Sequence, residues 1–170
     1  RPLGIPTIRA RAMQALHLLG LEPVSETIAD RNSYGFRTGR SCADAVGQCF
    51  NIFSKKKSSK WVLEGDIKAC FDEISHKWLL KNIPMDKEVL GKWLKSGYID
   101  GGQYHETREG TPQGGIISPT LLTLTLRGFE AAIKKGTKKK GDLVNVVVYA
   151  DDFIISARSK EILEATVKPI

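Results

Sequence analysis

The chain has 170 residues, enough for one sizeable core or two small lobes, and its 41% hydrophobic content is ordinary for a globular protein. No apolar run approaches the roughly 20 residues of a membrane span, so no membrane partner is expected. A net charge of +7, from 26 Lys and Arg against 19 Asp and Glu, favours a polyanionic partner, most simply a nucleic acid. Cys42, Cys49 and Cys70 lack a Cys-x-x-Cys spacing and read as reduced core thiols. His17, His76 and His105 are too scattered for a zinc site.

Residues 1–6 hold two prolines and a glycine and predict an extended segment with no hydrophobic leader. Thr7 can cap a helix whose inner face carries Ile8, Ala12, Ala15, Leu16 and Leu19, with Gly20 and Pro23 expected to stop it. Residues 30–41 form a basic, glycine-punctuated loop. Ser41 then caps a helix over 42–54, with Ala43, Val46, Cys49, Phe50 and Phe53 inward. Lys55 to Lys60 is a surface turn, as lysine runs usually are. Residues 61–68 read as a strand carrying Asp66, a short helix enters near Ser75, and another covers about 86–96. Residues 98–109 form a hairpin turning at Gly101 and Gly102. The stretch 110–115 is irregular. Ser118 and Pro119 open a long helix with Leu121, Leu122, Leu124, Leu126 and Phe129 inward. Lys134 to Lys140, with five lysines, is a flexible connector. A helical pattern from Ser159 breaks off at Ile170, so the chain reads as a piece of a longer protein.

Chemistry concentrates at residues 145–156, where two β-branched runs flank Tyr149-Ala150-Asp151-Asp152. Adjacent side chains on a straight strand face opposite ways, so both acids serve one site only if a hairpin bends there, with Ala150 to Asp152 at its tip. Taken alone, an Asp-Asp pair is more often a solvated turn. Two carboxylates held close repel and call for a cation, and hard oxygen ligands suit Mg²⁺. Asp66 closes a separate strand, which supplies the parts of a two-metal phosphoryl-transfer site.

Five stretches in order carry a family resemblance: residues 1–6, Tyr34 to Ser41, Asp66 to Asp72, Gly110 to Pro119 and Tyr149 to Asp152. With them the chain resembles the reverse transcriptase domain of group II intron-encoded proteins, the maturases. The resemblance implies Asp66, Asp151 and Asp152 as catalytic metal-site acids, with the Ile67 carbonyl as a further ligand of two Mg²⁺ ions, Mn²⁺ being the substitute. It implies Arg1, Phe71, Gln113 and Gly114 around a deoxynucleoside triphosphate, Phe71 packing under the sugar to exclude a 2′-hydroxyl. A core role for Phe71 is the plainer alternative. Tyr149 and Ala150 fall near the primer end. Arg37 and Arg40 meet template phosphates, or else serve the loop's own structure. Asp72 is expected to be structural.

The implied fold is α+β (α/β in the broad sense), a right-handed polymerase fingers–palm portion. Its palm has a small antiparallel sheet with helices packed on one face. Fingers are expected over 1–59 and 75–112 and palm over 60–74 and 113–170, with the thumb and maturase domain lacking. The implied function is RNA-directed DNA polymerase, aiding intron splicing and mobility. An intron RNA template, a DNA primer and deoxynucleotides are the expected partners. A homodimer is compatible with the sequence without being indicated by it. A bacterial cytoplasm is the default location and an organelle the alternative. The rival readings are a non-catalytic RNA-binding splicing maturase and a reverse transcriptase of a retron, CRISPR-associated or diversity-generating system.

Overall fold

The computed structural model describes residues 4–112, 114–137 and 140–167. Arg1 and Gln113, both expected at the nucleotide, lie outside the described residues. The chain divides into two compact units, one of Arg1–Thr27 and Lys68–Thr125, the other of Ile28–Ile67 and Leu126–Ile170.

The first unit is mainly helical. It holds α1 (Ile8–Ile28, whose last residue belongs to the second unit), α3 (His76–Asn82), α4 (Lys87–Leu94) and α5 (Ser118–Thr125). Between α4 and α5 runs the hairpin β2 (Tyr98–Asp100) and β3 (Gln103–His105), turning at Gly101 and Gly102 as expected. Both glycines have positive φ, which a two-residue hairpin turn requires and which glycine alone adopts without strain. Leu79, Ile83, Leu90, Leu94, Ile117, Leu121 and Leu122 are almost fully buried and form the apolar interior of this unit. Ser75 caps α3 by accepting from the Trp78 N–H at 3.3 Å, and Asp86 caps α4 by accepting from Val89 at 2.9 Å.

Helix α1 departs from expectation twice. It runs through Gly20 and Pro23 to Ile28 instead of stopping. Proline removes one helical hydrogen bond but leaves the downstream turns intact. The Thr27 hydroxyl donates to the Pro23 carbonyl at 2.8 Å. Leu21 and Ser25, one turn apart, are buried on either side of the proline, and that packing outweighs the local propensity. The inward face is also the other one: Gln14, Leu21 and Ser25 are buried while Ile8, Leu16 and Leu19 are exposed.

The second unit is organised by a three-stranded antiparallel sheet of β1 (Trp61–Asp66), β4 (Asn145–Tyr149) and β5 (Asp152–Ala157), in the order β1-β5-β4. Strand alternation divides it into two faces. Leu63, Phe153, Ile155, Ala157, Val146 and Val148 point to one face. There they pack with Phe129 and Ile133 of α6 (Phe129–Gly136) and with Leu163 and Val167, in the turns that continue the short helix α7 (Lys160–Ile162). The opposite face carries Asp66, Asp152 and Tyr149, all exposed. Gly65 is required on the core face, because a Cβ there would stand 2.2 Å from the Phe153 ring.

Helix α2 (Cys42–Phe53) begins at Ser41 as expected, with a reciprocal capping box: Asp44 N–H donates to Ser41 Oγ at 3.3 Å, and Ser41 N–H to Asp44 Oδ2 at 2.7 Å. Hydrogen bonds from the Ser41 hydroxyl and then its backbone N–H hold the Asp44 carboxyl below the usual carboxylate range. Its inward face is again shifted, with Ala45 buried and Cys49 and Phe53 half-buried, while Val46 and Phe50 are exposed. Burial raises the Cys49 thiol pKa above its ordinary value.

The long helix expected from Ser118 is two helices. α5 ends at Thr125, and α6 starts after Gly128, which has φ +88°. The Asp30 carboxylate dictates the break: it accepts from the N–H groups of Gly128 and Glu130, both at 2.9 Å, and so caps α6 from a hundred residues away. Ser118 does not cap α5; its hydroxyl donates back to the Pro112 carbonyl at 2.8 Å. The connector expected over 134–140 is partly helical, since α6 reaches Gly136 and Lys134 pairs with Glu130.

A Cβ at Gly128 would meet nothing within 4 Å, so Gly128→Ala is opposed by backbone conformation alone. We expect it to lower stability by about 1 kcal/mol, read as a lower urea midpoint with unchanged slope.

Candidate active site

Strand register places two carboxylates side by side. Asp66 is directly opposite Asp152, and Asp152 is directly opposite Tyr149, giving the row Asp66–Asp152–Tyr149 across all three strands. Directly paired residues carry their Cβ atoms about 4.5–5.5 Å apart on the same face. Ala150 and Asp151 form the two-residue link between β4 and β5, and Ala150 has φ +57°. A positive φ at the first loop residue suits the hairpin's twist, although alanine adopts it at a cost of about 1–2 kcal/mol. The bend expected between the two acids is therefore present, with Asp151 in the turn and Asp152 opening β5. The Ile67 N–H donates to the Asp151 carbonyl at 3.1 Å, which extends the β1–β5 ladder onto the turn. Asp66 and Asp152 are exposed and Asp151 is half-buried. None of the three carboxylates has a side-chain hydrogen bond or ion pair among the described residues. Nor do three metal-ligating side chains there close around a single point.

A loop holds this turn from one side. The Val148 N–H donates to the Asn32 carbonyl and the Tyr34 N–H to the Val148 carbonyl, each at 2.9 Å, so residues 32–34 cover the free edge of β4. Gly35 then passes so close to the turn that a Cβ would sit 2.1 Å from the Ala150 nitrogen. Two carboxylates anchor the loop at its base. Asp30 caps α6, and buried Glu130 accepts from Asn32 Nδ2 at 2.8 Å and from the Asn32 N–H at 3.4 Å. Arg37 is buried, and its Nη1 donates to the Asp30 and Ser33 carbonyls, both at 2.8 Å. Arg40 is half-buried; its Nη1 donates to the Arg31 carbonyl at 2.7 Å, and its guanidinium lies 5.4 Å from the centre of the Tyr34 ring.

Within the first unit, Phe71 and the glycine-rich loop are brought together. The Thr111 N–H donates to the Phe71 carbonyl at 2.7 Å and the Gly110 N–H to the Ile74 carbonyl at 2.8 Å. Gly110 has φ +80°, and a Cβ on it would be 2.6 Å from the Phe71 and Asp72 carbonyl oxygens. His76 Nε2 is 2.7 Å from the Gly110 carbonyl, a bond that requires the proton on that nitrogen. Gly114 is exposed with φ +101°. Ala69, in the tight turn before Phe71, is a further non-glycine residue at positive φ.

Sequence reasoning missed four residues. Asp30, Asn32 and Glu130 lock the loop through contacts about a hundred positions apart, for which no local pattern exists. The nearest signal was the acid in the first turn of α6. Gln14, placed on a helix otherwise read for its apolar residues, is buried, and its Oε1 lies 3.3 Å from where a Gly115 Cβ would stand. Gln14 Oε1 and Thr111 Oγ1 are buried polar atoms without a partner among the described residues.

Comparison with known proteins gives the family of the chain. The family described as reverse transcriptase (RNA-dependent DNA polymerase) matches across residues 1–170. The chain belongs to that family. It is 41% identical over 137 residues to the group II intron-encoded protein LtrA of Lactococcus lactis, covering 76% of this chain and 22% of LtrA. It is 36% identical over 138 residues to the protein YkfC of Escherichia coli, covering 76% of this chain and 36% of YkfC. The chain thus spans about a fifth to a third of the length of these curated relatives. Among solved structures, a Candida tropicalis telomerase matches with a TM-score of 0.57 at 17% identity, over 95% of this chain and 36% of the telomerase. A Cas6-RT-Cas1–Cas2 complex matches with a TM-score of 0.51 at 25% identity, over 98% of this chain and 31% of the matched chain. The mixed helix-and-sheet architecture is accordingly that of a polymerase fingers–palm fold, as the reverse transcriptase resemblance implied.

Gly35→Ala should disturb the turn without touching an acid, because the clash is with backbone and cannot be relieved by a side-chain rotation. Hydrogen exchange should accelerate at the Tyr34 and Val148 amides, whose partners lie in the loop and in β4, while the amides of α4 keep their protection.

Proposed function

We propose that the chain is the fingers–palm part of an RNA-directed DNA polymerase encoded by a group II intron. The observation that carries this is the opposition of Asp66 and Asp152 at the end of one sheet, with Asp151 tied by its backbone to Ile67 beside them. Like charges directly opposite destabilise a sheet, and three carboxylates without cationic partners among the described residues form a hard, anionic donor set. The set fits divalent cations: Asp66, Asp151 and Asp152 would hold two Mg²⁺ ions, with the Ile67 carbonyl as a further oxygen. Such ions supply neutralisation of the triphosphate and activation of the attacking hydroxyl.

In this reading a primer 3′-oxygen attacks the α-phosphorus of a deoxynucleoside triphosphate. The new bond is O3′–Pα, the bond to the bridging oxygen of the β-phosphate breaks, and pyrophosphate leaves. The protein contributes position more than reactive groups. Tyr149 and Ala150 lie at the end of β4 where the primer terminus would rest. Phe71, held by the bond between its carbonyl and Thr111, would pack under the sugar, with Gln113 and Gly114 lining the pocket and Arg1 gripping the triphosphate. Arg40 is the stronger candidate for template phosphate, whereas the carbonyl bonds of buried Arg37 favour a role in shaping the loop. We assign fingers to 1–59 and 75–112 and palm to 60–74 and 113–170. Similarity to LtrA and to a putative COX1/OXI3 intron 1 protein of Saccharomyces cerevisiae, at 35% identity over 133 residues, supports the intron-encoded class. It also supports an intron RNA template and a part in splicing and mobility. No helix of the described residues is long and apolar enough to cross a membrane.

In the full-length protein, Asp151→Asn should reduce primer extension on an RNA template by at least ~10²-fold while leaving RNA affinity within about twofold. Undiminished extension would overturn the assignment. Phe71→Val should raise ribonucleotide incorporation relative to deoxynucleotide by about 10-fold or more, measured in competition, because it opens space beneath the sugar.

A further inference from the structure

At the end of the β1-β5-β4 sheet away from the acidic row, a groove of about 380 Å³ is lined by Gln48, Asn51, Lys55, Lys57, Leu143 and Asn145 among others. We propose that this groove binds the phosphodiester backbone of a nucleic-acid strand. The inference rests on the reading of the chain as a nucleic-acid polymerase and adds a contact remote from the chemistry.

Charge is the first support. No acid lines the groove, and the chain contains no Asp or Glu between Asp44 and Glu64. The Lys55 and Lys57 ammonium groups form no ion pair among the described residues, and the side-chain amides of Gln48 and Asn51 have no protein partner there. Two cations and two amide donors facing one concave surface suit an anion with several oxygens, and phosphate is the common one that repeats along a polymer.

Order is the second. A solvated lysine turn needs no fixed shape, yet this one is tied down. The Lys55 N–H donates to Ser58 Oγ at 3.0 Å, and the Ser58 N–H returns to the Lys55 carbonyl at 2.9 Å. Buried Ser59 donates its hydroxyl to the Leu143 carbonyl at 2.6 Å, across 84 positions. The same carbonyl accepts from Asn145 Nδ2 at 3.0 Å, and Leu143 is held at φ +51°. The other non-glycine residues at positive φ among the described residues are Phe36, Ala69 and Ala150, each inside one of the five stretches that carry the family resemblance. Backbone strain of this kind persists where surroundings enforce it and concentrates at functional sites.

Location is the third. Asn145, Val147 and Tyr149 alternate onto the same sheet face, but Val147 is buried and α2 packs against β4, so the groove is walled off from the row of Asp66 and Asp152 and stands as a separate site. Four residue steps along the strand separate Asn145 from Tyr149, about 13 Å at ~3.3 Å per residue.

The test is equilibrium binding of a single-stranded RNA to the full-length protein over a series of salt concentrations. Lys55→Gln with Lys57→Gln should lower the slope of log K against log salt by about 1.4, since each phosphate contact on a single strand contributes ~0.7. Asn51→Asp, which puts a carboxylate on the exposed wall, should weaken binding several-fold with the helix intact by circular dichroism. Lys77→Gln with Lys81→Gln, the same charge change on α3, is the control and should leave the slope nearly unchanged. An unchanged slope in the first variant, or an equal fall in the control, overturns the proposal. So does tighter binding of an acidic peptide than of RNA. Because binding is read without turnover, the two proposals fail separately. A protein that never extends a primer yet shows the slope change loses the polymerase assignment and keeps the groove. One that extends with an unchanged slope does the reverse.

Discussion

A carboxylate directly across from another carboxylate is an unfavourable pairing in an antiparallel sheet, and the second unit is built to hold one. The β1–β5 register places Asp66 opposite Asp152, and a shift by one residue would turn every core side chain of β5 to the opposite face, away from its packing partners. Phe153, Ile155 and Ala157 are fixed on the buried face by Ile133, Leu163 and Val167. The hydrophobic face therefore sets the register, and the register sets the acids. Repulsion between the acids is offset by the apolar packing on the other side of the same strands, about 25 cal/mol for each Å² of apolar surface removed from water.

The turn between the acids depends on a second constraint. Ala150 sits at positive φ in close contact with Gly35, and Gly35 belongs to a loop whose base is held by Asp30 and Glu130. Buried carboxylates are costly unless their oxygens are satisfied. Glu130, which is buried, is satisfied by Asn32 and Lys134, and half-buried Asp30 by the free N–H groups at the start of α6. One helix N-terminus thus positions a loop, and the loop closes over the hairpin that carries the acids. Substitutions at the base of that loop act on the site through geometry alone.

Much of this was legible in residues 145–156. Two β-branched runs around adjacent acids required a bend, and the bend is there with Asp151 in the turn and Asp152 on the strand. The Gly101-Gly102 hairpin and the caps at Ser41 and Ser75 were equally readable, because each depends on atoms within a few residues. Helix faces were not. Apolar residues of α1 and α2 lie on more than one side, and the buried side proved to be that of Gln14, Leu21 and Ser25 in one and of Ala45 in the other. Pro23 looked like a stop by local rules, and burial on both sides of it carried the helix onward.

The positions of the acids, the strands that bear them, the hairpin that turns beside Asp152, and the five ordered stretches that mark the reverse transcriptase family can all be read along the chain. Those features are written in neighbouring residues, where backbone geometry and side-chain chemistry act over a turn or a strand. Three further features emerge on folding alone: Asp66 meets Asp152, Asp30 breaks one expected helix into two at Gly128, and Ser59 reaches Leu143. Each of these joins residues 84 to 98 positions apart or closes β1 on β5. A hydrogen bond of that span leaves no periodic trace in the chain, because its partners are chosen by where the folded backbone returns and by the penalty on any buried polar group left unpaired.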